Sequence, residues 1–302
     1  MIFAINSANL RNLAAHRLLY TAVMNKVLAA ALSIPLVACV VGDSGTTTGD
    51  PGGNPGGSNS GSDMGSDPGT GTGISGHITS DTTWSGVVNI SGNVTIDAGV
   101  TVTVAAGAEV DVAPQAGIAV TGTLDIQGTA ASHAIIKPAS GANFADLSVA
   151  GTVTAAFASI NGATISISGG TLTATDSKFW GAPGDLLVMN GGTINVTYSN
   201  IGDATSDTTH CNMHFGGTTT NTITIEHNNI VARPYGLMFY SGQNADFKNN
   251  NWSNMIDIEP GVSGVTGDAS GSYFMKGQPS GTTGITYGTL SQTALTDAGP
   301  RG

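Results

Sequence analysis

The chain has 302 residues, 44 of them glycine, and only 10% of its residues are charged, with a formal net charge of −11. Nine residues are Lys or Arg, so the sequence lacks the basic surface that nucleic-acid binding requires, and we exclude that class of partner. Low charge combined with much Gly, Thr, Ser and Val is typical of turn-rich β structure.

The amino-terminal region contains a short apolar segment rather than a membrane span. Residues 24–26 carry one positive charge, and residues 27–35 are apolar. The whole apolar run, residues 27–38, is about half the ~20 residues that a transmembrane helix needs. A positive region followed by a short apolar one is typical of an export signal.

The next residues, Leu36-Val37-Ala38-Cys39, resemble the lipobox of bacterial lipoproteins. The resemblance implies that residues 24–38 are removed as a signal peptide and that Cys39 is acylated on its sulfur and on its new amino group. Two or more acyl chains anchor a protein stably to a membrane. An ordinary secretory signal with an incidental cysteine is the alternative. Residues 1–23 precede this signal, and we predict that translation begins at Met24.

The lipoprotein resemblance also implies a location. Val40, rather than Asp, follows the cysteine, which resembles lipoproteins sent to an outer membrane. We therefore expect a lipid-anchored protein of the cell envelope, in the outer membrane or at the cell surface. Residues 39–73 are largely Gly, Ser, Thr, Asp and Pro. Because such a segment has little to bury, it cannot offset its ordering entropy, and we expect a flexible tether.

One short pattern returns five times between residues 153 and 252. Each copy alternates apolar and polar residues, which predicts a strand with one buried face, and its last apolar residue lies seven after its first. Successive copies start 19, 22, 29 and 22 residues apart, which indicates a solenoid of stacked coils. Stacking at about 4.8 Å aligns the first apolar residues, which are Val153, Leu172, Ile194, Ile223 and Ala245.

A second column follows from the same alignment, because a small or polar residue lies five after the start of each copy. Its members are Ala158, Ser177, Ser199, Asn228 and Asn250. Side-chain amides and hydroxyls stacked at a tight turn can satisfy backbone groups there.

These repeats resemble the right-handed parallel β-helix proteins, the group that includes the pectate-lyase-like families, over residues 74–290. The resemblance implies an all-β fold with a single right-handed parallel β-helix whose coils have about 19–29 residues. It does not by itself imply an activity, because such folds carry unrelated functions. Residues 291–302 are a carboxy-terminal tail. The strands shorten over residues 262–302, and we interpret this end of the chain as a cap or a final loose coil.

A candidate binding face lies in the coils with long insertions. Alternation along residues 209–215 predicts that Cys211, Met213 and Phe215 point inward while His210, Asn212 and His214 point outward. Aligning Gly192, Gly217 and Gly242 places His214 between Met189 and Phe239, and His210 between Asp185 and Tyr235. This alignment predicts an exposed apolar strip with two histidines, a plausible groove for a long polymer. The candidate binding residues are His210, His214, Tyr235, Phe239, Met189 and Asn212.

The alternative is that the insertion loops cover this strip. We assign no metal and no cofactor: calcium fits the resemblance, yet no ligand set indicates it. A transition-ion site made of His210, His214 and Asp203 or Asp207 is a further alternative, since imidazole and carboxylate suit such ions. Cys211 is interpreted as a buried small apolar residue.

Catalysis is not favoured by the sequence. The Asn-Thr-Asp, Asp-Asp, Gly-His-Gly and Arg-Ile-Lys signatures of polygalacturonases are absent. Arg233-Pro234 only faintly resembles the arginine segment of pectate lyases, and no pair of carboxylates is placed across a substrate as glycoside hydrolysis requires. The favoured function is therefore non-catalytic binding of carbohydrate or another cell-surface component. The alternatives are a structural spacer or coat protein, a polysaccharide lyase or glycoside hydrolase acting at the 187–239 face, and an ice-binding protein.

Overall fold

The computed structural model describes residues 73–203, 209–216, 221–239, 244–259 and 266–302. The upstream segment, the signal, Cys39 and the tether up to residue 72 lie outside these ranges, as does Asp207. Within the described ranges, no helix is long and apolar enough to cross a membrane.

The described chain forms 27 strands. The first fourteen are β1 (Ile74–Ile78), β2 (Thr82–Trp84), β3 (Val87–Ile96), β4 (Thr101–Val104), β5 (Glu109–Val112), β6 (Ile118–Val120), β7 (Thr123–Gln127), β8 (Ala134–Pro138), β9 (Asp146–Val149), β10 (Thr152–Ala156), β11 (Ala158–Asn161), β12 (Thr164–Ile167), β13 (Thr171–Thr175) and β14 (Lys178–Trp180). The remainder are β15 (Leu187–Met189), β16 (Thr193–Thr197), β17 (Asn200–Ile201), β18 (Cys211–Phe215), β19 (Thr222–Glu226), β20 (Asn229–Val231), β21 (Tyr235–Phe239), β22 (Asn244–Asp246), β23 (Asn251–Ser253), β24 (Ile256–Ile258), β25 (Thr266–Asp268), β26 (Tyr273–Phe274) and β27 (Ile285–Thr286).

All pairings between these strands are parallel, and the strands stack in three columns. Sheet one holds β2, β4, β7, β10, β13, β16, β19, β22, β25 and β27. Sheet two runs from β5 through β8, β11, β14, β17, β20 and β23 to β26, and sheet three runs from β6 through β9, β12, β15, β18 and β21 to β24. Strand β3 joins sheets two and three, because its first half pairs with β5 and its second half with β6. The all-β parallel β-helix predicted from the repeats is confirmed.

The predicted column of apolar residues is also confirmed. Val153 pairs with Leu172, Leu172 with Ile194, Ile194 with Ile223, and Ile223 with Ala245. The first four side chains are buried, and Ala245 packs against the core. Each buried Val, Leu or Ile contributes about 1.5–3 kcal/mol. Stacking therefore supplies the burial that a single coil lacks.

The predicted polar column forms a buried hydrogen-bond ladder between sheets one and two. The backbone N–H of Ala158 donates to Ser177 Oγ at 3.0 Å, and that of Ser177 donates to Ser199 Oγ at 3.0 Å. The Ser199 N–H donates to Asn228 Oδ1 at 2.8 Å. The ladder continues with Asn228 N–H to Asn250 Oδ1 at 2.8 Å and Asn250 N–H to Ser272 Oγ at 3.1 Å. Ser272, which the sequence pattern missed, extends the ladder by one coil.

The residue before each ladder position adopts the left-handed conformation. Its φ values lie between 46° and 57° at Phe157, Asp176, Tyr198, His227 and Asn249. Only glycine adopts this region at no steric cost, and non-glycine residues in it cost on the order of 1–3 kcal/mol each. The ladder hydrogen bonds that follow each corner offset this cost, since they hold the chain in the sharp turn into sheet two.

The end of the chain has two parts. Residues 266–286 add β25, β26 and β27 to the stack, whereas residues 291–302 run back along the corner between sheets one and two. Asn251 Nδ2 donates to the Leu295 carbonyl at 2.9 Å, and the Gly299 N–H donates to the His227 carbonyl at 2.8 Å. Arg301 reaches Asp176 still further back. The physical reason is the set of outward amides in sheet two, whose donors and acceptors pair with an extended backbone.

Candidate functional site

In sheet three, the register of β18 against its neighbours differs by one residue from the predicted alignment. His214 pairs with Val188 on one side and Met238 on the other, whereas Phe215 pairs with Met189 and Phe239. The predicted stacking of His214 between Met189 and Phe239 is therefore wrong. Because side chains alternate with a period of two, a slip of one residue moves a whole strand face from outside to inside. Met189 and Phe239 are 0% and 4% exposed and belong to the core.

Two of the three aligned glycines, Gly217 and Gly242, lie outside the described residues. The spacing after the strands explains the error. β15, β18 and β21 end at the paired residues Met189, Phe215 and Phe239. Gly192 and Gly242 come three residues after these strand ends but Gly217 only two, so aligning the glycines shifted β18 by one residue.

Asn212 has a structural role rather than an exposed one. Its Nδ2 donates to the carbonyls of Ile201 at 2.7 Å and Val231 at 3.2 Å, and its Oδ1 accepts from Asn254 Nδ2 at 2.8 Å. It is completely buried. The amide therefore joins the corner between sheets two and three across successive coils, which removes it from any binding surface.

The two remaining candidates are only partly accessible. His210 is half-buried, with its Nδ1 3.0 Å from Thr209 Oγ1, and Tyr235 is half-buried opposite Cys211. His214 is 3% exposed. The six predicted residues thus divide into core positions, a corner amide, a buried histidine and two half-buried side chains. They do not form the continuous apolar strip that the sequence suggested.

Arg233 also departs from its sequence interpretation. It is 2% exposed, and its guanidinium donates to the backbone carbonyls of Gly184, Ala182 at 2.8 Å and Cys211 at 3.4 Å. A rigid fork of five donors suits this use, because it satisfies several turn carbonyls at once. Arg233 therefore ties three coils together at the loop before β15 and does not resemble a catalytic base.

A cluster that the sequence did not reveal surrounds His214. Its Nδ1 lies 2.5 Å from Asp185 Oδ2, and the other carboxylate oxygen accepts the Cys211 N–H at 2.8 Å. Cys211 Sγ lies 2.8 Å from Met238 Sδ. One ligand atom from each of Asp185, Cys211 and His214 lies within 4.8 Å of the others. The stack thus brings two sulfurs, an imidazole and a carboxylate together in three consecutive coils.

Cys211 is buried, as expected, but its side chain does not join Met213 and Phe215 in the core. Those two residues belong to the hydrophobic core, whereas the Cys211 sulfur lies beside Asp185 and Met238. The expectation that it points inward with them is wrong, because Cys211 is the first residue of β18, where regular alternation begins. Leu187 pairs with Met213, so the residues two positions earlier, Asp185 and Cys211, lie beside each other. The sequence alignment missed this because its register was wrong.

The surroundings of Cys211 disfavour its thiolate form. Burial raises the pKa of the Cys211 thiol far above its ordinary value, and the nearby Asp185 carboxylate raises it further. Burial also acts to raise the pKa of Asp185, but the hydrogen bonds from His214 and from the Cys211 N–H outweigh it and hold that pKa below its usual range. Thiol nucleophiles need a lowered pKa. The arrangement therefore does not resemble an activated cysteine enzyme.

A second polar cluster lies on the outer face of sheet one. Lys248 Nζ lies 2.5 Å from Asp246 Oδ2 and 3.7 Å from Asp268 Oδ2. Burial raises the pKa of Glu226, and the adjacent Asp246 raises it further. Lys248 therefore joins the Asp246 and Asp268 carboxylates in an ion network on this face.

Comparison with known proteins adds no further identification. No family model matches the chain, and neither the curated proteins nor the solved structures contain a match.

Proposed function

We propose that this chain is a lipid-anchored protein of the cell envelope whose β-helix serves as a non-catalytic structural module, a spacer or coat component. The observation that carries the proposal is the register of sheet three, which buries Met189 and Phe239 instead of presenting them. Without that strip, the described face offers no extended aromatic groove of the kind that holds a polymer. The proposal favours the spacer over carbohydrate binding.

The internal construction of the stack supports this role. The ladder from Ala158 to Ser272 is directed at backbone groups of neighbouring coils, and so are Asn212 and Arg233. Polar side chains whose hydrogen bonds join neighbouring coils stiffen a solenoid, but these groups cannot also bind a ligand. A rigid stack of coils suits a spacer, since its length is set by the number of coils.

A glycan assay tests the absence of binding and catalysis. The full chain, purified, is incubated with a panel of polyuronates and neutral glycans with calcium present, and both new chain ends and retention on each immobilised glycan are measured. We expect neither. Retention that Tyr235→Ala abolishes, while the Tyr273→Ala control keeps it, would overturn the spacer and restore carbohydrate binding. New chain ends would make the protein a degrading enzyme.

The anchor is tested separately by metabolic labelling with an alkyne fatty acid. We expect the wild type to carry label and Cys39→Ser to lose it, while Cys211→Ser, the matched cysteine control, keeps it. Label that persists in Cys39→Ser would contradict the lipobox interpretation and leave an ordinary secretory signal.

A further inference from the structure

We propose that Cys211, Met238 and His214 form a binding site for a soft monovalent metal ion, copper(I), with Asp185 orienting the histidine. The site goes beyond the structural role and does not depend on it. It rests on four side chains that the stack gathers from β18, β21 and the loop before β15. The loops between these strands vary, so the donors converge through stacking and not through a sequence motif.

The first step of the argument is geometric. Metal–sulfur bonds of about 2.3 Å and metal–nitrogen bonds of about 2.0 Å require donor atoms roughly 3–4 Å apart. One ring nitrogen of His214, the Cys211 sulfur and one Asp185 oxygen lie within 4.8 Å of one another, and Cys211 Sγ lies 2.8 Å from Met238 Sδ. Because Asp185 holds Nδ1, the copper ligand in this proposal is Nε2. Binding requires the flexible, unbranched methionine to rotate so that the two sulfurs move apart around the ion.

The second step concerns the kind of donor. A thiolate and a thioether are soft ligands, and together with imidazole they select copper(I), whereas harder ions prefer carboxylate and water. Thioether coordination separates this set from the thiolate and imidazole sets of structural zinc. Binding replaces the S–H bond of Cys211 with a sulfur–copper bond and releases one proton to solvent. No oxidant or reductant is needed, because copper enters and stays as copper(I).

Asp185 acts as a positioning residue. Its hydrogen bond to His214 Nδ1 holds the ring in place, and its second oxygen holds the Cys211 N–H, so one carboxylate orients two of the ligands. Metal-bound histidines usually have such a carboxylate partner. Entry is possible from this side of the cluster, because the Asp185 side chain is 18% exposed and Met238 is half-buried, while Cys211 and His214 are enclosed.

The test is an anaerobic titration of the metal-free full chain with copper(I) in competition with a chromophoric copper(I) chelator. We expect one copper(I) per chain and a thiolate-to-copper charge-transfer absorption. Met238→Leu conserves volume and keeps the fold. It should weaken binding by at least about tenfold, as expected when part of a site is lost. Cys211→Ser should abolish both the binding and the absorption.

Two control variants test whether copper(I) binding requires these particular sulfur residues. Met255→Leu changes an exposed methionine elsewhere in the stack, and Cys39→Ser removes the other cysteine; both should bind copper(I) as the wild type does. Asp185→Asn should weaken binding by about 10–100-fold without abolishing the absorption, since it keeps an acceptor for the ring but loses its charge.

Several results would overturn the site. These are binding that survives Cys211→Ser and Met238→Leu, a charge-transfer band that disappears in Cys39→Ser instead, or zinc(II) displacing copper(I) at equal concentration. A normal thermal unfolding transition in each metal-free variant shows that lost binding is not lost folding.

Discussion

Arg301 and Asp176 form a bidentate ion pair across 125 positions of sequence, with Nε–Oδ1 and Nη2–Oδ2 distances of 2.9 and 2.8 Å. The guanidinium also lies 3.7 Å from the ring centroid of Tyr198, so it closes the tail against two consecutive coils. The Asp176 side chain is almost completely enclosed, whereas that of Arg301 is half exposed. The tail therefore covers a charge that the corner alone would leave without a cation.

We expect Arg301→Ala to lower the free energy of unfolding by about 1–2 kcal/mol, a value reduced for the solvent around Arg301. Arg301→Lys keeps the charge but not the two-pronged guanidinium, so it should lose less unfolding free energy than Arg301→Ala does. Urea unfolding of both variants measures this. A loss in Arg301→Ala that Asp176→Asn reproduces in full, with no further loss in the double variant, would assign it to the pair. Additive losses would contradict the pairing.

The same pair predicts a pH dependence. Burial acts to raise the pKa of Asp176, but Arg301 outweighs it, so the folded pKa lies below the unfolded value of about 3.9. A lowered folded pKa contributes stability above the unfolded pKa, and this is lost as pH falls through the folded pKa. The difference in unfolding free energy between wild type and Arg301→Ala should therefore be constant above about pH 5 and shrink in acid. A difference that grows in acid would be inconsistent with this sign.

Asp257 should give the opposite pH dependence of stability to Asp176. Burial raises its pKa, although its Oδ1 accepts the Asn254 N–H at 2.8 Å. A raised folded pKa gives stability that is present below the unfolded pKa and lost as pH rises through the folded one. Asp257→Asn keeps an acceptor and removes the charge, so it should be at least as stable as the wild type at pH 7. The advantage should vanish near pH 3 in urea titrations; Asp268→Asn, at a carboxylate whose pKa is lowered, is the control expected to lose stability at pH 7.

The buried ladder predicts a graded series at one position. Asn228 accepts from the Ser199 N–H and donates to the Val196 and Glu226 carbonyls. Asn228→Ala leaves a buried N–H without its acceptor and should cost about 2–4 kcal/mol of unfolding free energy. Asn228→Ser should cost clearly less, because serine fills the same position at Ser177 and Ser199. Equal losses for the two variants in urea unfolding would mean that the hydrogen bonds do not matter.

The register of sheet three can be checked by thiol labelling. In a Cys39→Ser background, where Cys211 is buried, Val188→Cys should react with a maleimide at least about tenfold faster than Met189→Cys. The reason is that Val188 lies beside His214 on the outer face while Met189 lies in the core. Faster labelling of Met189→Cys would restore the exposed strip and, with it, the case for carbohydrate binding.

The amino-acid sequence by itself determined the parallel β-helix, the register of sheet one and the polar ladder. Val153, Leu172, Ile194 and Ile223 begin copies with the same seven-residue spacing, so alternation and turn position agree on one alignment, and that alignment buries these four side chains. Where each coil repeats the same local pattern, the spacing of neighbouring residues is enough to show which side chains face the core.

Only the tertiary structure decided the face in sheet three, the cluster of Asp185, Cys211, His214 and Met238, and the path of the tail. Strands β15, β18 and β21 follow connections of different length, so no constant spacing in the sequence fixes their register. An alignment error of one residue was enough to assign core side chains to the surface. The partners Arg301 and Asp176 lie 125 positions apart, and no local period links them. Contacts of this kind depend on how the coils stack, which is a property of the whole chain and not of any one repeat.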